Sequence, residues 1–506
     1  MFNHRFRPSL LVLAIVAAQN VYSAGHVEPY KPIIPSLQSA TLSEQVSEQF
    51  SERQVFKDGT TVTVDSNKLS KQLEDANWQH KTSKVGTGVN EAIRKYGSGI
   101  KGNQVVVAVI DSGVDISHPD LKGKIWVNKY EIPDDGIDND GNGYIDDVHG
   151  WSFLGKNQAY ANVEATRMYR DKTLAFRNDM SKLLKSDALV KTSFEEGAQT
   201  ATSPDKINYH YNLDFNPLET YDPDDASKAI RDYPSVKQPF YGNNEVQGPD
   251  ASHGTHVAGI IAARRGNGRK DESGALIADG IAPQARIMSV RVVPDGDERD
   301  EDIANAVRYA VDNGARIINM SFGKDFSPEK KQVAKAFDYA ASKGVLMVHA
   351  AGNSSYDVGD NPNFPTRFKM SDNVKRHWIE VGSSTKSFKR DDYVSSFSNF
   401  GNQEGKAKVD LFAPGSAIVS TIPDSGVASF NGTSMATPHV AGIAALVLSH
   451  APEMNGAEVK KLLLDTVQDD SDKTVLSPDG HYVDFGSLSI TGGKVSAINA
   501  LDALYN

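Results

Sequence analysis

The sequence predicts an α/β protein whose parallel sheet is covered by helices on both faces. Three observations carry that expectation. Short runs rich in Val and Ile recur without polar alternation, as strands buried on both faces require. They are QVVVAVID from Gln104, ARIMSVRVV from Ala285, ARIINMSF from Ala315, VLMVHAAGN from Val345, WIEVGSS from Trp378 and KVDLFAPG from Lys408. Helical stretches lie between several of them, including EDIANAVRYAVDNG and SPEKKQVAKAFDYAASKG, and both stop at glycine. Finally, 506 residues at 39% apolar and 24% charged composition can bury a large core, in one domain or a few smaller ones.

The chain begins with what reads as an export signal. His4, Arg5 and Arg7 precede LLVLAIVAA, and Val21 and Ser23 supply small residues at signal-peptidase spacing, so residues 1–23 are expected to be removed. The apolar run falls short of the roughly 18 residues that span a bilayer, and no later stretch could span one. Residues 24–77 are polar and form either a removable propeptide or a plain leader. The main domain is expected over 78–506. An insertion at 129–250 opens with DGIDNDGNGYIDD and continues through charged and Pro/Asp/Tyr-rich segments. His253 opens a helix whose Val257, Ile260 and Ile261 face inward. A last helix is expected from about Lys494, and no further domain is expected after it.

The partners follow from composition. A formal net charge of -11 argues against nucleic acid. The absence of cysteine excludes a disulfide framework and a lipid-bearing cysteine, so core size and metal ions must stabilise an exported chain. Polypeptide substrates, a monomeric state and a periplasmic or extracellular location are expected.

The stretch NGTSMATPHVAG carries the chemistry. A Gly-containing turn places Ser434 at the start of a helix apolar on every side, with Pro438 in its first turn. Ser434 is either a nucleophile at the positive end of a buried helix or a plain N-cap. Asp111, at a strand end, is either an active-site acid or a turn former. Peptide hydrolysis needs a nucleophile, a base, a carboxylate that orients the base, and oxyanion donors. Ser434, His253, Asp111 and the Asn353 amide offer one of each, in the chain order Asp, His, Ser.

DSGVDISHPDL, HGTHVAGIIAA, NMSFG, AAGN and NGTSMATPHVAG together resemble the subtilisin-like serine peptidases, the subtilases. The resemblance implies a three-layer α/β/α sandwich around a central, mostly parallel sheet. It places the triad on Asp111, His253 and Ser434 and the oxyanion amide on Asn353. It also makes Ser321, Phe322 and Gly323 one wall of the pocket for the residue before the scissile bond, and Ala350, Ala351 and Gly352 the other. An extended peptide would lie between them as an added strand, which favours broad specificity. Sedolisins share the fold but carry Glu where His253 stands. The function implied is an exported serine endopeptidase. Its base is expected to titrate like an ordinary histidine, with full activity above about pH 7 and loss below about pH 6. A silent peptide-binding protein on the same fold is the alternative.

DNDGNGYIDD resembles a calcium loop. Asp138, Asp140 and Asn142 take its first, third and fifth positions, Gly143 the sixth and the Tyr144 carbonyl the seventh, with Asp146 beyond. His149 replaces the bidentate Glu of an EF-hand, so the expectation is a structural calcium loop outside that fold; the alternative is an acidic turn bound only to water. Asp120 matches a further subtilase calcium ligand, with Asp271, Glu272 or Asp279 as substitute partners. His256, His349 and His439 read as core histidines. The glycosylation sequons at Asn319, Asn353 and Asn431 coincide with the motifs and are not expected to carry glycans.

Overall fold

The computed structural model describes residues 53–55, 61–63, 77–82, 84, 86–100, 104–154, 241–265, 279–294 and 297–506. The export signal, most of the 24–77 leader, residues 155–240 of the insertion, and Asp271 and Glu272 lie outside them. Strands β1 (Arg53–Val55) and β2 (Thr61–Thr63) pair antiparallel. A nine-stranded sheet forms the centre. Its strands are β3 (Val105–Asp111), β4 (Gly150–Ser152), β5 (Ala285–Arg291), β6 (Ile317–Met320), β7 (Leu346–Ala350), β8 (Trp378–Ser384) and β9 (Leu411–Pro414), with two short ones at the edge. β10 (Ile418–Ile422) and β11 (Gly426–Phe430) form a separate hairpin. β12 (Gln468–Asp469) and β15 (Gly493–Lys494) complete the sheet, and β13 (Thr474–Leu476) pairs with β14 (Tyr482–Asp484). The sheet order is β12-β15-β9-β8-β7-β6-β3-β5-β4, parallel throughout except at β12.

Eight helices accompany the strands among the described residues. They are α1 (Val89–Tyr96), α2 (Ser252–Ala262), α3 (Asp300–Asp312), α4 (Lys330–Ser342), α5 (Asp372–Arg376), α6 (Thr433–His450), α7 (Gly456–Asp465) and α8 (Ala497–Tyr505). The period-2 geometry of a strand sends neighbouring side chains to opposite faces. In β3, Val105, Val107 and Val109 enter a core shared with α2 and α6. Ala108 and Ile110 enter another, shared with Ile303 and Val307 of α3 and Val333 and Phe337 of α4. Both faces are therefore covered, which makes the molecule the three-layer α/β/α sandwich that the sequence predicted.

Two local expectations need correction. Lys494 belongs to β15, and the last helix starts only at Ala497, because the Ser496 side chain accepts from the Asn499 N–H and caps it. Pro438 lies inside α6, beyond its first turn. Part of the insertion joins the sheet. Its β4 pairs with β5 as the sheet's outermost strand, and its returning end crosses the β3 loop, where the Val114 N–H donates to the Val246 carbonyl.

Candidate active site

β3 sits where the chain order of the sheet reverses, between β5 and β6. At such a switch point the carboxyl ends of neighbouring strands open a crevice. Asp111 ends β3, Ser321 follows β6, and Ala350 ends β7. The sequence scatters these residues, and the sheet brings them to one edge.

Asp111 is 1% exposed, and its Oδ1 lies 2.8 Å from His253 Nδ1. The same oxygen accepts the Ser112 N–H at 2.7 Å, which fixes the carboxylate against its own turn. His253 is the second residue of α2, and its side chain stays 39% exposed. Burial lowers the imidazole pKa, but the Asp111 charge and hydrogen bond, helped by Asp250, more than reverse that. The imidazole is therefore held above an ordinary histidine, a departure from the unperturbed titration expected from sequence.

Ser434 stands second in α6. The N-cap is Gly432, and the Ser434 side chain caps nothing, so the capping alternative falls. Its Oγ donates instead to the Ser321 carbonyl at 3.0 Å; no hydrogen bond joins it to His253. Pro438 has a role here. Lacking an N–H, it leaves the Ser434 carbonyl without its partner one turn on. The Ser321 Oγ fills that place, donating to the Ser434 carbonyl at 2.9 Å. The wall segment and the serine helix are thereby bonded in both directions.

Asn353 has a settled orientation. Its Oδ1 accepts from the Thr433 N–H at 2.8 Å and the Thr433 Oγ1 at 2.9 Å. Two donors on the oxygen turn the Nδ2 the other way. A Cβ built on Gly432 would lie 3.6 Å from Asn353 Nδ2 and 3.5 Å from the Ser434 N. The two donors therefore border one spot. The Ser434 N–H has no carbonyl to meet within the first turn of the helix.

The remaining residues predicted as walls are placed unevenly. Phe322 is 8% exposed, and its ring packs nearly at right angles to that of His349. Ala350 and Ala351 are buried, and Gly352 has φ +104, with its N–H donating to Thr433 Oγ1 at 3.1 Å. Gly323 is exposed at the rim.

His256, His349 and His439 are buried, as expected. His256 Nε2 meets the carbonyls of Ile418 at 3.0 Å and Ala428 at 3.1 Å, and its ring stacks on Phe430. Burial lowers its pKa to about 3, so it stays neutral. It pins the His253 helix to the β10–β11 hairpin, which runs straight into α6. The sequence reading missed that link, since neither partner is a side chain. His349 has a carboxylate partner that the sequence reading did not foresee: Nδ1 lies 2.8 Å from Glu380 Oε1, because the β7–β8 register pairs the two residues. His439 Nδ1 bonds the Met435 carbonyl.

The acidic loop draws together a trio that shares Asp140 with the predicted set. Among the described residues, ligand atoms of Glu131, Asp140 and Asp147 lie within 4.8 Å of one another. Burial pushes Asp147 up to about 6, against hydrogen bonds from Tyr309, Asn128 and Asn142. Three hard oxygen donors in a partly buried cluster fit calcium chemistry. Asp138 accepts the N–H groups of Gly141, Asn142 and Gly143, and Asp146 those of Asp135 and Gly136. Asn142 donates to Asp140 and Asp147, while Tyr144 is a buried aromatic packed on Trp151. Glu131 precedes the motif and belongs to no loop template, so pattern reading could not find it. Asp120 is fully buried, and Asp279 lies 3.8 Å from Arg265.

No described helix is long and apolar enough to cross a membrane. Residues 102–481 match the subtilase family, described as Peptidase_S8. The chain is 37% identical over 269 residues to a thermophilic serine proteinase of Bacillus sp. (strain AK1), covering 53% of this chain and 57% of that one. Against alkaline elastase YaB of Bacillus sp. (strain YaB) the identity is 36%, over 42% of this chain and 49% of the relative. Against thermitase of Thermoactinomyces vulgaris it is 37%, over 46% and 72%. The chain thus spans about half the length of the first two relatives. With the family matched across most of its length, the chain belongs to the subtilases.

Proposed function

We propose that the chain is an exported serine endopeptidase that cleaves polypeptides through an acyl-enzyme. The observation that carries this reading is the 2.8 Å contact between the buried Asp111 carboxylate and His253 Nδ1. Asp111 fixes the imidazole so that Nε2 faces the substrate as a base. Ser434 Oγ leaves the Ser321 carbonyl, passes its proton to His253 Nε2 and attacks the scissile carbonyl. The oxyanion takes hydrogen bonds from Asn353 Nδ2 and the Ser434 N–H. His253 returns the proton to the leaving amine, and a water activated by the same imidazole releases the acyl group.

The N-terminal signal supports export, and the Glu131, Asp140 and Asp147 cluster supports a structural calcium. Calcium there would neutralise converging carboxylates and brace the 131–147 loop. The hydrogen bond from Ser434 Oγ to Ser321 would equally suit a silent peptide-binding protein. A fluorophosphonate probe separates the two readings. Covalent labelling at Ser434, absent after His253→Ala, is the expected result. Folded protein that stays unlabelled would overturn the enzyme reading.

A further inference from the structure

We propose that Asn319 is a positioning residue for the nucleophile, aligning Ser434 through the Ser321 hydroxyl. The proposal rests on the serine-peptidase reading and deepens it by adding a buried residue that acts from behind the site.

Asn319 lies within β6, in register with Val109 of β3 on one side and Val348 of β7 on the other. Strand alternation puts it on the face of Ile317, toward the core that holds Met435 and Ala436 of α6. It is 0% exposed, in a layer built mostly from Val, Ile, Leu and Ala. A carboxamide in such a place costs free energy unless its polar atoms are paired. Its Oδ1 has no hydrogen-bond partner among the described residues. An apolar side chain of the same size would avoid that cost, so packing does not account for the amide.

The other end of the amide does. Asn319 Nδ2 donates to Ser321 Oγ at 3.0 Å, and Ser321 Oγ donates to the Ser434 carbonyl at 2.9 Å. A carbonyl only accepts, so the single hydroxyl proton of Ser321 is committed to Ser434. The amide must then meet Ser321 with its N–H, which fixes the Asn319 orientation. Without that donor the Ser321 hydroxyl is free to rotate away. The Ser434 carbonyl depends on it, because Pro438 offers no N–H one turn on. In return, the Ser321 carbonyl accepts from Ser434 Oγ at 3.0 Å. Asn319 therefore stands behind the reciprocal pair that holds the nucleophile and the backbone on either side of it.

Asn319→Leu keeps the size of the side chain and removes the amide. A misplacement of about 1 Å can cost about 10²-fold in rate, so kcat should fall by about tenfold to 10²-fold. Fluorophosphonate labelling of Ser434 should slow by the same factor, since it uses the same hydroxyl without peptide binding. The unfolding temperature should hold or rise, because a buried unpaired acceptor has gone. The pH midpoint of kcat/KM should stay, because the amide makes no hydrogen bond to Asp111 or His253. In a Ser321→Ala background, adding Asn319→Leu should change kcat by less than about twofold, since the amide acts only through that hydroxyl. Native kcat and labelling rate in folded Asn319→Leu, an activity loss that tracks a lowered unfolding temperature, or losses that multiply in the double variant would each overturn the proposal. If Asn319→Leu fails to fold, Asn319→Ala, alone and with Ser321→Ala, is read for the same losses in kcat and labelling. A native protein that neither labels at Ser434 nor hydrolyses any peptide would defeat the underlying reading; native labelling with an unaffected variant would defeat only the relay.

Discussion

In the proposed mechanism Asn353 does two things at once, and two substitutions pull them apart. Its Oδ1 receives the Thr433 N–H and hydroxyl at the start of α6, while its Nδ2 would serve the oxyanion. Asn353→Ala removes both functions. The lost oxyanion donor should cost about 10² to 10³ in kcat, equivalent to about 2.7–4 kcal/mol. Thr433 is 0% exposed, and leaving its two donors unpaired should cost about 1–3 kcal/mol of stability. Asn353→Asp keeps the acceptor and sets a negative charge at a helix N-terminus, which favours it by about 0.3–1 kcal/mol. It supplies no donor and repels the oxyanion. Stability should therefore rank Asp at or above native and Ala below, whereas kcat should fall in both and furthest in Asp. KM should hardly move, because the bond forms only as the carbonyl oxygen gains charge. Steady-state kinetics on a chromogenic peptide, beside thermal unfolding of the same samples, reads both effects. An Asn353→Asp variant with kcat within about tenfold of native would refute the oxyanion role.

Three further outcomes follow from the geometry. The base acts only when neutral, and its pKa is raised, so kcat/KM should climb with pH through a midpoint above the ordinary histidine value of 6.5. Asp250→Asn should move that midpoint down, and a midpoint unmoved or higher in the pH profile would contradict the charge argument. Chelation should lower the unfolding temperature of the native protein, and calcium should restore it. In Asp147→Asn both responses should shrink, and equal responses would remove the 131–147 loop as the site. A Cβ at Gly259 would meet Thr421 Oγ1 at 2.2 Å and Ser420 Oγ at 2.3 Å, the hydroxyls that bond the carbonyls of Thr255 and His256. Gly259→Ala should then destabilise by about 1–3 kcal/mol in denaturant unfolding and lower kcat as the His253 helix shifts; native stability would show that the helix can slide freely.

The sheet was legible because its strands are buried on both faces and read as unbroken apolar runs. β3 and β5 to β9 each lie within a run picked out from sequence, and α3, α4 and α6 fall on the predicted periodicities. The β10–β11 hairpin was not legible. Its pairing partners, its anchor His256 and the carbonyls of Ile418 and Ala428 are linked by backbone contacts that leave no trace in residue type. The same limit hid the His349–Glu380 pair, which strand register alone creates. Pro438 was read as a feature of the helix start. Its effect is to free the Ser434 carbonyl for Ser321, which depends on where the helix begins.

In the proposed chemistry Ser434 and His253 act as a single proton-transfer unit. A double-mutant comparison tests it most directly: kcat of Ser434→Ala, of His253→Ala and of the double variant, against the native protein. Each single loss should approach about 10⁶, and the double variant should be no slower than either alone. Losses that multiply in the double variant would mean that the two side chains contribute independently, and the proposed chemistry would fail.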